Sequence, residues 1–229
     1  MTRRRRSVSA REQRLLGTIE ALEVRLREVH HRVRRQLQTI STLLNMQAER
    51  SRDQRVGRAL ADAATRIQTI ATIDDQLRDP ATAAVEMSGA IRAIGDLAQT
   101  MLGAAAQPVS VRYYLDEFAL PADQAIQCGL VVNELVTNAL QHGFKGQPGG
   151  HVEVRAVVRD GLVSIEVHDD GVGPPSADAA GRHPGLGLDL VRLLVTRQLH
   201  GEFLIARDAG TRCKATFSYP AAAQATSTG

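Results

Sequence analysis

The 229-residue sequence contains no tryptophan, and aromatic residues make up only 3% of it. Recognition of nucleic acid by base stacking needs aromatic platforms, so this scarcity argues against that mode of binding. Cysteine is nearly as rare. Cys128 and Cys213 are far apart and have no metal-ligand neighbourhood, so both read as small apolar interior residues in a reducing compartment. No apolar run is long enough to span a bilayer. Arg3–Arg6 is not followed by the hydrophobic stretch that a signal peptide requires. The expectation is a soluble, cytoplasmic chain with no membrane segment. Lysine is absent from residues 1–78, which hold seventeen arginines against nine acids, so the positive excess of the chain lies there. A basic third of this kind can face nucleic acid, anionic lipid or an acidic protein, and it is equally the solvated face of a long helix.

Proline is also absent from residues 1–79, and what is there is helical in period. Leu15, Ile19, Leu22, Leu26, Val29, Val33, Leu37, Ile40 and Leu44 follow at steps of 4, 3, 4, 3, 4, 4, 3 and 4. That is a coiled-coil-like seam with one extra residue, a local stutter, just after His31. Val56, Leu60, Ala63, Ile67, Ile70 and Leu77 repeat the pattern. Between the two runs Glu49-Arg-Ser-Arg-Asp53 can turn the chain, with Ser51 or Asp53 as N-cap. Residues 8–79 therefore read as a helical hairpin. Its apolar stripe cannot be buried by two helices alone, so two hairpins are expected to pair as a four-helix bundle.

Beyond Asp79-Pro80, residues 80–220 read as a second domain. Helix is expected over 81–103, 122–142 and 188–199, and a strand over 109–115. Two hairpins are expected: 151–159 with 162–168 across Asp160-Gly161, and 202–207 with 212–219 across Asp208-Ala-Gly210. Residues 171–184 form a loop rich in Gly, Pro and Ala. The fold class is α+β: the hairpin, then an α/β sandwich with a mixed, mostly antiparallel sheet.

Four groups of residues carry chemistry. At 100° per residue, His30 lies roughly 70° and His31 roughly 170° from the inward direction set by Leu26, Val29 and Val33. His31 thus points to solvent, where a neutral imidazole nitrogen can take a phosphoryl group. An exposed histidine usually has no such role, and only the second domain weighs against that reading. There, Glu134 and Asn138 share a helical face four residues apart, with Asn133 and His142 beside them. An amide oxygen suits Mg²⁺ and a carboxylate can accept a proton; the same spacing equally describes an amphipathic surface helix. Asp169 ends a strand before Gly171 and Gly173. It can accept a hydrogen bond from an exocyclic amine such as that of adenine, or simply belong to an Asp-Gly turn. Gly185-Leu186-Gly187 opens a helix, where free N–H groups can meet phosphate or where the loop is merely flexible.

In this order the residues resemble the ATPase module of histidine kinases, the Bergerat-type ATP-binding fold. Glu28–Gln47 also resembles the phosphoacceptor box of the second histidine-kinase dimerisation family, related to the HWE kinases. The resemblance runs from about Leu15 to Tyr219. It implies His31 as phosphoacceptor, Asn138 as Mg²⁺ ligand, Glu134 as polarising base and Asp169 as the adenine partner. Gly171 and Gly173 would shape the pocket, and Gly185 and Gly187 would hold the phosphates. Thr211 would support Asp169. ATP and Mg²⁺ are the implied cofactors, and the implied partners are a response-regulator receiver domain and a second copy of the chain. Because only about fourteen residues precede Leu15, a separate sensor protein, or residues missing from this sequence, would supply the input.

Three departures from the family pattern stand out. Arg34-Arg35-Gln36 replaces Lys-Asn-Asn, Asp74-Asp75 replaces a His-Glu pair, and Gln141 replaces a lysine, for which Lys145 can compensate. Weaker turnover is the expected consequence. Two alternatives follow: a kinase-inactive phosphotransfer or scaffold protein that retains the fold, or a serine kinase of the anti-sigma type.

Overall fold

A computed structural model of the chain describes residues 10–79, 84–102, 108–174 and 186–219. Helix α1, Ala10–Arg50, runs for 41 residues, and α2, Gln54–Asp75, returns beside it for 22. The turn between them is built by its own polar side chains. Asp53 is the N-cap of α2 and accepts the Arg55 N–H at 2.8 Å, while Ser51 donates to the Asp53 carbonyl at 2.9 Å. Ser41 is buried between the helices and donates to the Ala64 carbonyl at 3.1 Å.

The two helices differ in length, and that decides what is covered. The far end of α2 meets α1 at His30 and Arg34, through Asp74 and Asp75. The part of α1 before His30 extends past that meeting point, and Leu15, Ile19, Leu22, Leu26 and Val29 are exposed. Val33 and Ile40 are exposed as well, since α1 turns His30, Arg34, Leu37, Ser41 and Leu44 toward its partner. In α2 the residues most deeply buried are Ala64, Thr69, Ala71 and Ile73 rather than the expected Val56–Leu77 stripe, and Val56 is exposed. The reason is that α2 packs on two sides: α1 on one, α3 (Met87–Leu102) and α4 (Ala122–Asn138) on the other.

Three short strands follow: β1 (Leu77–Asp79), β2 (Ala84–Glu86) and, later, β4 (Ala119–Pro121). They form a small antiparallel sheet in the order β1-β2-β4. The helix expected over 81–103 is α3, Met87–Leu102; the positions just before it are strand because Ala84–Glu86 pairs with Ala119–Pro121. The main sheet contains β3 (Val109–Leu115), β5 (Gly150–Arg159), β6 (Leu162–Asp169), β7 (Glu202–Arg207) and β8 (Thr211–Ser218). Its order is β3-β5-β6-β8-β7, with β3 parallel to β5 and every other pair antiparallel.

Alternation along the central strands buries one face: Val152, Val154 and Ala156 on β5, Val163, Ile165 and Val167 on β6, and Cys213, Ala215 and Phe217 on β8. Helices α3, α4 (Ala122–Asn138) and α5 (Leu186–Leu193) contribute the opposing layer through Ile91, Ile94, Val132, Leu135 and Val191. Ile73 of α2 belongs to this same core, so the hairpin is anchored to the α/β unit by apolar packing. Two helices run on beyond their α-helical spans. The expected 122–142 helix continues as a π-helical turn over Ala139–Gly143, and α5 continues as another over Leu194–Gln198. Among the described residues, no helix is long and apolar enough to cross a membrane.

Candidate functional site

The end of α4 and its π-helical turn lie against the end of β6. Asp169, 3% exposed, closes β6, and its Oδ1 accepts the Gly171 N–H at 3.1 Å and the Thr211 N–H at 3.2 Å. Thr211 therefore supports Asp169 through its backbone, at the first residue of β8. The Val172 N–H donates to the Gly143 carbonyl at 2.8 Å, which ties the Asp-Gly turn to the π-helical turn. A Cβ on Gly171 would stand 2.0 Å from that same carbonyl oxygen, so only glycine lets the two segments meet. Gly173 takes φ +78.

Glycine is needed a second time behind Asp169. Gly210 has φ +142, and a Cβ there would fall 1.8 Å from the Asp169 carbonyl oxygen. Arg207 also supports this corner by donating to the carbonyls of Val172 (3.2 Å) and Pro174. Nothing in the sequence singles out Arg207, because an arginine on a hairpin strand carries no local signal.

One turn along α4, Glu134 is 8% exposed and Asn133 3%. Asn133 Oδ1 and Asn138 Nδ2 are buried and have no hydrogen-bond partner. Buried amide atoms left in this way cost free energy until a ligand satisfies them. Gly187, in the first turn of α5, backs onto the same place: a Cβ there would lie 2.6 Å from Glu134 Oε2 and 3.5 Å from Asn138 Nδ2. The unpartnered amide atoms of Asn133 and Asn138, the second of them beside the first turn of α5, suit a phosphorylated ligand and its metal ion. Gly185 lies outside the described residues, and so does the side chain of Leu186.

Glu134 is not free. Arg66 of α2 donates from Nε to Oε1 at 2.8 Å and from Nη2 to Oε2 at 3.1 Å, a two-point ion pair between residues 68 apart in sequence. That contact, with burial working against it, raises the affinity of Arg66 for its proton. Asp62, one turn earlier on α2, is pushed up from the usual carboxylate value by burial and then by Glu134. His142 is pushed down by burial, and by Lys145 after that.

The two histidines differ as their helical angles predict. His31 is exposed. His30 is half-buried, with Nδ1 3.0 Å from Asp74 Oδ1, and the other Asp74 oxygen is buried without a partner. Arg34 pairs with Asp75, so two of the departures noted above, Arg34 and Asp74-Asp75, meet each other across the hairpin. The structure brings Glu134, Asn138 and Gly187 together, and likewise Asp169, Gly171, Gly143 and Thr211. Among the described residues, no hydrogen bond or ion pair joins His31 to either group.

Comparison with known proteins agrees with this geometry. The histidine kinase family matches residues 28–101, and the histidine kinase-like ATPase domain matches residues 103–211. The sensor histidine kinase PdtaS of Mycobacterium tuberculosis is 32% identical over 189 residues, which cover 81% of this chain and 38% of PdtaS. This chain thus spans well under half the length of that relative. The anti-sigma F factor of Geobacillus stearothermophilus is 35% identical over only 72 residues, 31% of this chain and 49% of the factor. The solved histidine kinase domain of the Erythrobacter litoralis EL346 blue-light activated histidine kinase superposes with a TM-score of 0.64 at 22% identity, covering 84% of this chain and 94% of that one. Both halves of the molecule point to the same place: this chain belongs to the histidine kinases, with a histidine kinase domain over residues 28–101 and an ATPase domain of the histidine kinase type over residues 103–211.

Proposed function

We propose that the chain phosphorylates itself on His31 from ATP and passes the phosphoryl group to an aspartate of a response-regulator receiver domain. The observation that carries this reading is the combination, in one chain, of an exposed imidazole on α1 with the end of α4, where Asn133 and Asn138 present unpartnered polar atoms. Residues 8–79 would form the dimerisation and phosphotransfer unit, and residues 80–220 the ATP-binding unit. The protein would work as a cytoplasmic homodimer, and a separate sensor or residues outside this sequence would bring the signal.

In this reading Asp169 holds the adenine edge. Its Oδ1 already accepts two backbone N–H groups, and its second oxygen is left to accept from the exocyclic amine. Gly171 and Gly173 shape that end of the site, by letting the Asp-Gly turn close on the Gly143 carbonyl and on Arg207. Asn133, Asn138 and His142 line the phosphate end, the backbone at Gly187 faces the phosphates at the start of α5, and Gly185 is assigned to them by the family resemblance alone. The Asn138 side-chain oxygen would hold Mg²⁺, which would supply positive charge to the phosphate oxygens.

A ring nitrogen of His31 forms a bond to the γ-phosphorus as the bond from that phosphorus to the β–γ bridging oxygen breaks, the electron pair staying on the departing diphosphate. The proton on the opposite ring nitrogen passes to Glu134. Transfer to the receiver then breaks the N–P bond and forms an acyl phosphate on its aspartate. The basic α1 favours encounter with an acidic receiver surface.

The experiment is to incubate the chain with γ-labelled ATP and Mg²⁺ and to test the label for acid lability. Acid-labile label on the chain, passing to a receiver, is the expected result. Tight nucleotide binding without label would instead indicate an inactive scaffold. Acid-stable label on a partner would indicate a serine kinase.

A further inference from the structure

Arg66 stands where the reaction needs an unoccupied carboxylate. Its guanidinium takes both oxygens of Glu134, and the carboxylate is closed on another side by the backbone of Gly187. In this arrangement Glu134 is directed at α2 and not at an incoming imidazole. Arg58, Asp62 and Arg66 follow at four-residue steps, so they share one face of α2. Asp62 is near enough to both Arg66 and Glu134 to interact with each. Asp62 is thus placed, one helical turn away and in the favourable order, acid before base, to accept the same guanidinium once it leaves Glu134.

We propose that Arg66 is an intramolecular latch on the kinase: paired with Glu134 it holds the ATP-binding unit against the hairpin in a resting arrangement, and its passage to Asp62 frees Glu134 for phosphoryl transfer. The proposal rests on the reading of Glu134 as the polarising base. Such a latch has two discrete arrangements of one side chain, the kind of bistable element through which a signal bends a packed interface. It also gives input a physical target. A shift of α2 along or about its axis moves Arg58, Asp62 and Arg66 together, while Glu134 stays fixed in α4.

The test uses the whole chain and measures two quantities: affinity for a fluorescent ATP analogue, and the initial rate of autophosphorylation at saturating ATP. Arg66→Gln is expected to raise the rate by on the order of tenfold, the equivalent of one charge-assisted hydrogen bond, with nucleotide affinity unchanged. Arg66→Lys keeps the charge but loses the two-point fork, so a smaller rise is expected. Asp62→Asn is expected to lower the rate in the native background and to have no effect once Arg66 is glutamine, because Asp62 acts only through Arg66.

A fall or no change in rate for Arg66→Gln would overturn the proposal, and so would an effect of Asp62→Asn that persists without Arg66. If the native chain binds nucleotide but forms no phosphohistidine, the kinase reading itself fails. Hydrogen exchange then decides the latch. Faster exchange confined to α2 and the facing turns of α4 in Arg66→Gln supports it, and unchanged exchange sinks it.

Discussion

His142 and Asp169 sit on either side of Gly143, and each can be tested by a single substitution. Burial, with Lys145 nearby, pushes the His142 imidazole below its usual value of 6.5, so the folded chain binds a proton there less readily than the unfolded chain does. Stability from this residue is therefore complete above that value and is lost as pH falls from it through the lower value of the folded chain. In His142→Gln the decline in unfolding free energy between pH 7 and 5.5 should be shallower, as denaturant titrations at each pH would record. Asp169→Asn makes the complementary test. An asparagine oxygen can still accept from Gly171 and Thr211, so the fold should hold. Its amide nitrogen would then face the donor of an exocyclic amine, and ATP affinity should drop by roughly tenfold to a hundredfold. Gly171→Ala should instead cost stability, by about 3 kcal/mol in chemical denaturation, because its Cβ meets the Gly143 carbonyl.

Elements differ in how far the sequence alone reveals them, and the difference follows contact range. Helix α1, helix α2 and the β5–β6 hairpin are written in local pattern. Asp160 and Gly161 both take positive φ, as a tight hairpin turn requires. The exposure of His31 and the flank position of His30 also follow from the helical angle alone. Strands β1, β2 and β4 are different: each has three residues and exists only by pairing with distant chain, so no periodicity announces it. The π-helical turn at Ala139–Gly143 is equally silent, although it sets the Gly143 carbonyl against Val172. Arg66 reads as one more surface arginine until the fold carries it to Glu134. Ile73 is the apolar counterpart of that contact. It packs so closely on Gly129 that a Cβ there would lie 2.7 Å from its Cδ1. Ile73→Ala should destabilise the chain by about 2–5 kcal/mol in denaturant unfolding, and should loosen α2 from α4 as well.

At the scale of the whole molecule, the apolar stripe on α1 asks for a partner. Helix α3 packs against α2 and α4, so it does not serve as an internal substitute. Leu15 is 56% and Leu22 59% exposed, and a second hairpin would cover both. Leu22→Glu should shift the sedimenting species from dimer toward monomer with the helical signal retained, whereas an unchanged mass would remove the stripe from the interface. The account as a whole depends on where the phosphoryl group arrives. Peptide mapping under alkaline conditions after reaction with ATP and Mg²⁺ should find the phosphate on His31. It should be absent from His31→Ala and retained in His30→Ala. Phosphate on His30, or undiminished label in His31→Ala, would contradict the account.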